Sequence, residues 1–422
     1  MELWGFWGAS RGSPGGYGLT EHAHEVVVVG GGMVGAALAL ALAQRDFGVC
    51  LIEARRPDLS WDSQTYDLRV SAVTRASQRL LDNLGVWTSI RDDRCTAYDA
   101  MQVWDRAGFG EIHFDAADLG EPDLGHIVEN RVIVRALWLA LVDAGVEIIA
   151  PGRVRSVHVG SEASEIELQD RTRLQAGLLV GADGAHSQIR ELVGIASRSE
   201  PYDQHAVVAT VRAEFGNQAT AWQRFMRDGP LALLPIERDL FSIVWSTMPD
   251  EAARLCTVDE TAFAVQLTEA SEARLGRLEL VGGRAAFPLR LQHAEQYVMP
   301  GVALVGDAAH VIHPLAGQGV NLGFLDAGSL VDALQVGRAR GRRPGTLRDL
   351  RAYERGRKGH NTATQLVMDG FKHLFGSDAG MLALARNLGL GVAGRVPILR
   401  RTFERVALGY GLELPSLCRP AG

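Results

Sequence analysis

A chain of 422 residues is too long for one simple hydrophobic core, so about two lobes are expected. Hydrophobic residues at 47% and charged residues at 22% match an ordinary soluble globular enzyme, while a net charge of −7 and a pI near 6.0 argue against a dedicated nucleic-acid binder. The four cysteines (Cys50, Cys95, Cys256 and Cys418) form no C-x-x-C pair, which argues against zinc or a disulfide framework and for a reducing, cytoplasmic compartment.

Residues 1–24 are rich in Gly, Trp and Ser and have no basic start followed by an apolar run, so a flexible tail without a secretory signal is expected. Val26–Val29 is a β-branched run that stops at Gly30. Val34–Ala43 then reads as a small-residue helix and Val49–Glu53 as a second strand, a βαβ opening. Residues 76–90 are expected to be helical, 98–115 strand-like, and 131–144 a helix with a tight apolar face. Strands are expected over 145–160, 163–169 and 172–181, mostly strand over 204–248, and a helix over 258–275. Val302–Gly306 is an apolar strand, 319–336 a helix, and everything after 347 helical. No run of 18 apolar residues offers a membrane span. The order predicts a discontinuous dinucleotide-binding lobe (25–200 plus 285–345), an inserted β-rich substrate lobe (201–284) and a C-terminal helical region (346–422). Residues 331–422 carry 16 Lys/Arg against 7 Asp/Glu, whereas the remainder carries 27 against 43. Such a basic tail suits an anionic surface or partner, and equally a solvated helical face.

Three glycine turns carry the chemistry. In Gly30-Gly31-Gly32-Met33-Val34-Gly35, Gly30 permits the turn, Gly32 a close approach of a pyrophosphate, and Gly35 close helix–strand packing. Glu53, 21 residues after Gly32, is placed to accept from a ribose diol, favouring FAD or NAD over a 2′-phosphate. Gly389–Gly394 fits the same spacing but lacks a preceding strand and a matching acid, so it is set aside. The second turn, Gly181-Ala182-Asp183-Gly184, displays one aspartate, which serves a cofactor or simply caps the next helix. The third runs from Gly306-Asp307-Ala308-Ala309-His310 through His313-Pro314 to Gly317-Gln318-Gly319-Val320-Asn321. Asp307 suits sugar-like hydroxyls. Gly317 and Gly319 admit a flat ring, and the helix after them points its positive end at that ring, as a reduced flavin requires. His310 and His313 are assigned neither as base nor as metal ligand.

Together these motifs resemble the class A flavoprotein monooxygenases, the para-hydroxybenzoate hydroxylase fold. Asp67–Ala72, Gly125–Asn130 and His313–Gly323 look like the ubiquinone-biosynthesis hydroxylases, the UbiH/UbiF/UbiI group, over nearly the whole chain from about residue 25. Met101–Asp105, His205–Thr210, Tyr353–Arg355 with Arg357-Lys358, and Gly370-Phe371 look most like the UbiI branch, which hydroxylates C5 of a polyprenylphenol. The resemblance implies a Rossmann-like α/β FAD-binding domain. In it Gly30, Gly32, Gly35 and Glu53 hold the ADP half and Arg69 lies near the pyrophosphate. Asp183 and Asp307 belong to the further FAD motifs, with Gly306 and Asp307 at the ribityl chain and Gly317, Gln318, Gly319 and Asn321 along the isoalloxazine. It departs from the family at Val134, where a polar residue often reaches FAD; Arg131 and Arg135 flank it.

The implied reaction is aromatic hydroxylation through a flavin C4a-hydroperoxide, with O₂ as co-substrate and NAD(P)H as transient reductant. No catalytic base and no metal site is assigned. Leu231–Ile236, Phe241–Trp245 and Phe287–Leu289 are expected to line a pocket for a polyprenylated phenol or quinol, or to form plain sheet core. Peripheral contact with the inner face of a membrane through the basic tail, and with other ubiquinone-biosynthesis proteins, is expected. Alternatives are C6 hydroxylation of a demethoxyubiquinol-type intermediate, a polyprenyl reductase of the same superfamily, and a non-catalytic FAD-bound scaffold. A flavin halogenase is disfavoured, because the only lysines are Lys358 and Lys372.

Overall fold

The computed structural model describes residues 21–105, 111–311, 319–376 and 413–420. The chain opens with strand β1 (Glu21–Val29), helix α1 (Met33–Ala43) and strand β2 (Val49–Ile52). β3 (Val70–Thr74), α2 (Arg75–Asn83), α3 (Trp87–Arg91), β4 (Cys95–Tyr98), β5 (Ala100–Asp105), β6 (Glu111–Asp115) and α4 (Ala116–Leu119) follow. Next come β7 (Gly125–Glu129), α5 (Asn130–Asp143), β8 (Glu147–Ile149), β9 (Val154–Val159), β10 (Ser164–Leu168), β11 (Arg173–Gly181) and α6 (Gln188–Leu192). The middle of the chain holds β12 (Ser197–Ala213), β13 (Thr220–Met226), β14 (Gly229–Pro235), β15 (Leu240–Thr247), α7 (Pro249–Thr257), α8 (Glu260–Ala270) and β16 (Leu278–Ala294). It ends with β17 (Val298–Met299), β18 (Val302–Leu304), β19 (His310–Val311), α9 (Gly319–Ala339) and α10 (Leu347–Gly376).

The first sheet runs β17-β18-β11-β1-β2-β8, and β9 and β10 extend it from β11. β1 pairs in parallel with β2 on one side and β11 on the other, with Val26 opposite both Val49 and Leu178. Strands covered on both faces need apolar side chains at every position, and Val26–Val29 and Val49–Ile52 are buried throughout. Gly30 and Gly181 end β1 and the neighbouring β11, so the turns open at one edge of the sheet, the usual ligand position in such sheets.

The second sheet runs β19-β16-β12-β15-β14-β13-β5-β6 around its own core of Val207, Leu233, Phe241, Ile243, Phe263 and Leu267. It is wider than the expected 201–284 insert: β5 and β6 join one edge, and β16 and β19 carry the other beyond 284. A third sheet, β3-β7-β4, brings two motif segments side by side, with Val70 opposite Glu129 and Ala72 opposite Ile127.

Other boundaries move too. β1 starts at Glu21, four residues inside the expected tail, with Glu21 opposite Arg173. The expected helix 76–90 is two helices, broken where Gly85 takes φ +76. The expected helix 258–275 is α8, and α7 precedes it where no helix was expected. The rejected glycine repeat at 389–394 lies outside the described residues. Residues 413–420 return to the first lobe. Leu417 and Cys418 are buried in its core, Asn83 Nδ2 donates to Leu417 O at 2.8 Å, and Ser416 N to Asp332 at 2.8 Å. Among the described residues no helix is long and apolar enough to cross a membrane.

Candidate active site

The first turn is shaped by what glycine lacks. A Cβ on Gly30, at φ +107, would lie 2.3 Å from Ala182 O, and one on Gly35 1.9 Å from Gly30 O. A Cβ on Gly32 would meet nothing within 4 Å, because Gly32 opens onto a cavity at the start of α1. Glu53 Oε2 accepts from Gly31 N at 2.6 Å, and Trp138 Nε1 donates to Gly31 O at 2.8 Å. The carboxylate expected to meet a ribose thus stands beside the phosphate turn.

In the second turn Asp183 caps the helix that follows. Its carboxylate accepts from Ser187 Oγ at 2.5 Å and Ile189 N at 3.0 Å, so it is committed to the start of α6. Burial pushes this carboxyl up, and those hydrogen bonds oppose the shift. Its neighbours Ala182, Gly184 and Ala185, not its side chain, border the cavity.

In the third turn Gly306, at φ +58, donates its N–H to Asp326 at 3.0 Å. Asp307 is exposed, its side chain opening into the cavity. The protein packed around the site pushes its carboxyl up, against the pull of His310 and Arg69. Arg69 borders the same space and forms no ion pair among the described residues. Gly319 and Val320 border it at the start of α9. Asn321 is turned away: Oδ1 accepts from Thr74 N at 3.0 Å and Nδ2 donates to Ala72 O at 2.8 Å, tying α9 to β3. His313, Gly317 and Gln318 lie outside the described residues.

The cavity measures about 540 Å³. The glycine turns form one wall. Ala206, Val208, Val244, Phe287 and Leu289 from the second sheet form an apolar wall, with His186 and Arg290 near them. Phe287–Leu289, with Ser242 and Val244 from 241–245, line the cavity, whereas Leu231 and Leu233 are fully buried sheet core. Neither arginine beside Val134 reaches the cavity. Arg131 and Arg135 sit 4.7 and 4.3 Å from the Trp61 ring centroid, and they pair with Glu129 and Asp93.

Sequence reasoning missed the buried cluster behind the third turn. Asp326 is fully buried; its Oδ2 meets His310 Nε2 at 2.5 Å, and its Oδ1 accepts from Arg357 Nε at 2.8 Å and Asn361 Nδ2 at 3.2 Å. These contacts hold its carboxyl well below the usual range, although burial alone would raise it. The Asp326 spacing from Gly306 within an apolar helix was the available signal. Elsewhere, His24, Cys50 and Glu147 gather with their ligand-type atoms within 4.8 Å. Burial, then Glu147, pushes the Cys50 thiol up to about 12, away from the thiolate that a metal requires.

The residues present fit FAD. Gly32 leaves a cradle open at a helix N-terminus, Glu53 stands beside it, and Asp307 and Arg69 face the same cavity. Comparison with known proteins agrees. A family model described as "FAD binding domain" matches residues 23–368. The chain is 40% identical over 393 residues to the 3-demethoxyubiquinol 3-hydroxylase of Escherichia coli (strain K12), covering 93% of this chain and all of that one. It is 37% identical over 430 residues to the mitochondrial ubiquinone biosynthesis monooxygenase COQ6 of Homo sapiens, covering 90% and 92%. In fold it resembles p-nitrophenol 4-monooxygenase PnpA of Pseudomonas putida DLL-E4, with a TM-score of 0.75 at 20% identity over 93% of this chain and 100% of that one. The same holds for PqsL of P. aeruginosa, at 0.71 and 21% over 87% and 99%. With the cavity, its glycine turns and these relatives in agreement, the chain belongs to the FAD-dependent monooxygenases of the ubiquinone-biosynthesis hydroxylase family.

Proposed function

We propose that this monooxygenase hydroxylates the aromatic head group of a polyprenylated phenol or quinol. The observation that carries the reading is the single cavity in which cofactor-binding turns face an apolar wall from the second sheet. Bound FAD, reduced by NAD(P)H, supplies the chemistry that transfers one atom of O₂ to the ring. In this reading Gly30, Gly32, Gly35, Glu53 and Arg69 hold the ADP half. Asp307 holds the ribityl chain, and Gly306 sets its turn. Gly317, Gln318 and Gly319 lie along the ring, while Asn321 acts by tying α9 to β3. Asp183 contributes by shaping its turn. Val208, Val244, Phe287 and Leu289 keep water out and give the greasy substrate its surface.

Two ring positions have support. The name of the E. coli relative, aligned over its whole length, favours a demethoxyquinol substrate. The short segments Met101–Asp105 and His205–Thr210 favour C5 of a polyprenylphenol. We place the demethoxyquinol first, because whole-length identity outweighs short segments. Deleting the gene decides: accumulation of a demethoxyquinone supports this order, and accumulation of a polyprenylphenol reverses it. Incorporation of label from ¹⁸O₂ into product separates the hydroxylase from a polyprenyl reductase. Substrate-stimulated NAD(P)H oxidation separates it from an inert scaffold. We further propose that the basic C-terminal region meets an anionic membrane surface or partner enzymes of the same pathway.

A further inference from the structure

His310 borders the cavity while its ring is almost fully buried, 3% exposed. A carboxylate can only accept, so the 2.5 Å contact with Asp326 places the N–H on Nε2. Nδ1 is then the nitrogen left to exchange a proton. Two carboxylates lie nearby, Asp326 held by Arg357 on α10 and Asp307 under the pull of Arg69. The neighbouring imidazoles do not compete. Burial, then Arg357, lowers His360 to about 4, and burial lowers His293 on β16, which hydrogen-bonds Tyr297 Oη at 2.9 Å and Gln365 at 2.9 Å. Tyr297 stacks on His310 with ring centroids 5.7 Å apart, and burial holds its phenol protonated. Asp326 is itself fixed by Gly306, Arg357 and Asn361. A carboxylate that orients an imidazole at the edge of a reaction cavity is the arrangement of a general base with its positioning residue.

We propose that His310 is the catalytic base of this site and Asp326 its positioning residue: Nδ1 takes the proton of the substrate's ring hydroxyl. The inference rests on the cavity's being a phenol or quinol site. The O–H bond breaks, the proton passes to Nδ1, and the electron pair stays on the substrate oxygen, making the ring electron-rich toward oxygen transfer. The proton returns to the product hydroxyl, so the site ends with the charge it began with.

The test uses the FAD-loaded full chain and the variant His310→Gln, whose amide still donates to Asp326 but takes no proton. In histidine-selective ¹⁵N NMR, with His310 identified by its loss in the variant, Nδ1 is expected bare in the free enzyme and protonated on adding a short-chain prenylphenol. H310Q is expected to retain FAD, lose the acidic limb of the kcat–pH profile, and turn over about 10²-fold more slowly. Unchanged His310 signals, or a kcat within about threefold of wild type with the limb intact, overturn the proposal. If H310Q does not hold FAD, the wild-type limb decides by its temperature dependence: an imidazole's heat of ionisation supports the proposal, a carboxyl's overturns it. ¹⁸O₂ labelling of wild-type product tests the hydroxylase reading separately, so the two failures are distinguishable.

Discussion

Gly32 and Gly35 stand three residues apart in one turn, yet their surroundings make opposite demands. Gly35→Ala drives a methyl to 1.9 Å from Gly30 O, and we expect a loss of about 3 kcal/mol or failure to fold. Gly32→Ala meets no protein atom within 4 Å, so its melting temperature should match wild type while FAD affinity falls about tenfold, measured by fluorescence quenching. An unchanged affinity would remove Gly32 from the cofactor cradle. His126 offers a pH test. Burial, then Arg75, lowers it from 6.5 to about 4. Between these values the unfolded chain binds more protons than the folded one, so stability falls as pH drops from about 6.5 toward 4, by about 3 kcal/mol at most. Denaturant titrations at pH 7 and 5 should show a smaller difference in His126→Gln than in wild type. Gly30 and Gly35 were legible because backbone geometry constrains the residue type directly. Asp183 and Asn321 were legible only as motif members, since spacing does not reveal which neighbour a side chain turns to. His310 and Asp326 meet by tertiary packing alone.

Among elements, α9 is the most consequential. Its first turn borders the cavity, its Asn321 is bonded to β3, and its Asp326 holds the turn at Gly306. Asn321→Ala strands the Thr74 N–H and Ala72 C=O in a buried setting, and we expect a loss of about 2 kcal/mol, with FAD bound less tightly. Arg357→Leu leaves the Asp326 carboxylate short of its guanidinium, and a loss of about 3–5 kcal/mol in chemical unfolding is expected. A loss below about 1 kcal/mol in either variant would show that the helix is held chiefly by its apolar contacts. The apolar strand at Val302 and the helix after Gly319 were legible from hydrophobic periodicity. The division of 76–90 at Gly85 was not, because one periodic pattern spans both halves of a helix–turn–helix, and α7 was not, because its nine residues are too few to set a period.

At the scale of the molecule, the two-lobe plan was legible, but its seam was not. β5 and β6 read as strands, and nothing in their alternation says which sheet they join; β13 settles it by pairing in parallel with β5. The C-terminal segment was also opaque, since a lone Leu417-Cys418 pair carries no period. Its packing predicts that deleting residues 413–422 lowers the melting temperature, because Leu417 leaves the main core at a cost of about 2–5 kcal/mol. Membrane contact by the basic region is therefore tested by reversing charge at Arg400 and Arg401, which leaves this anchor in place. Reduced pelleting of the reversed variant with anionic liposomes is the expected result.

The place of β18 beside β11 bears on how the protein is made. β11 is complete at Gly181, but its parallel neighbour begins at Val302. About 120 residues intervene, so at about 5–20 residues per second the ribosome leaves Leu179–Gly181, the part of that edge not already paired by β10, without its partner for about 6–24 s. Asp307, Gly319 and Asp326 emerge later still. Flavin capture therefore belongs to the end of synthesis, and the nascent chain spends that interval with a hydrophobic strand edge that a chaperone can recognise.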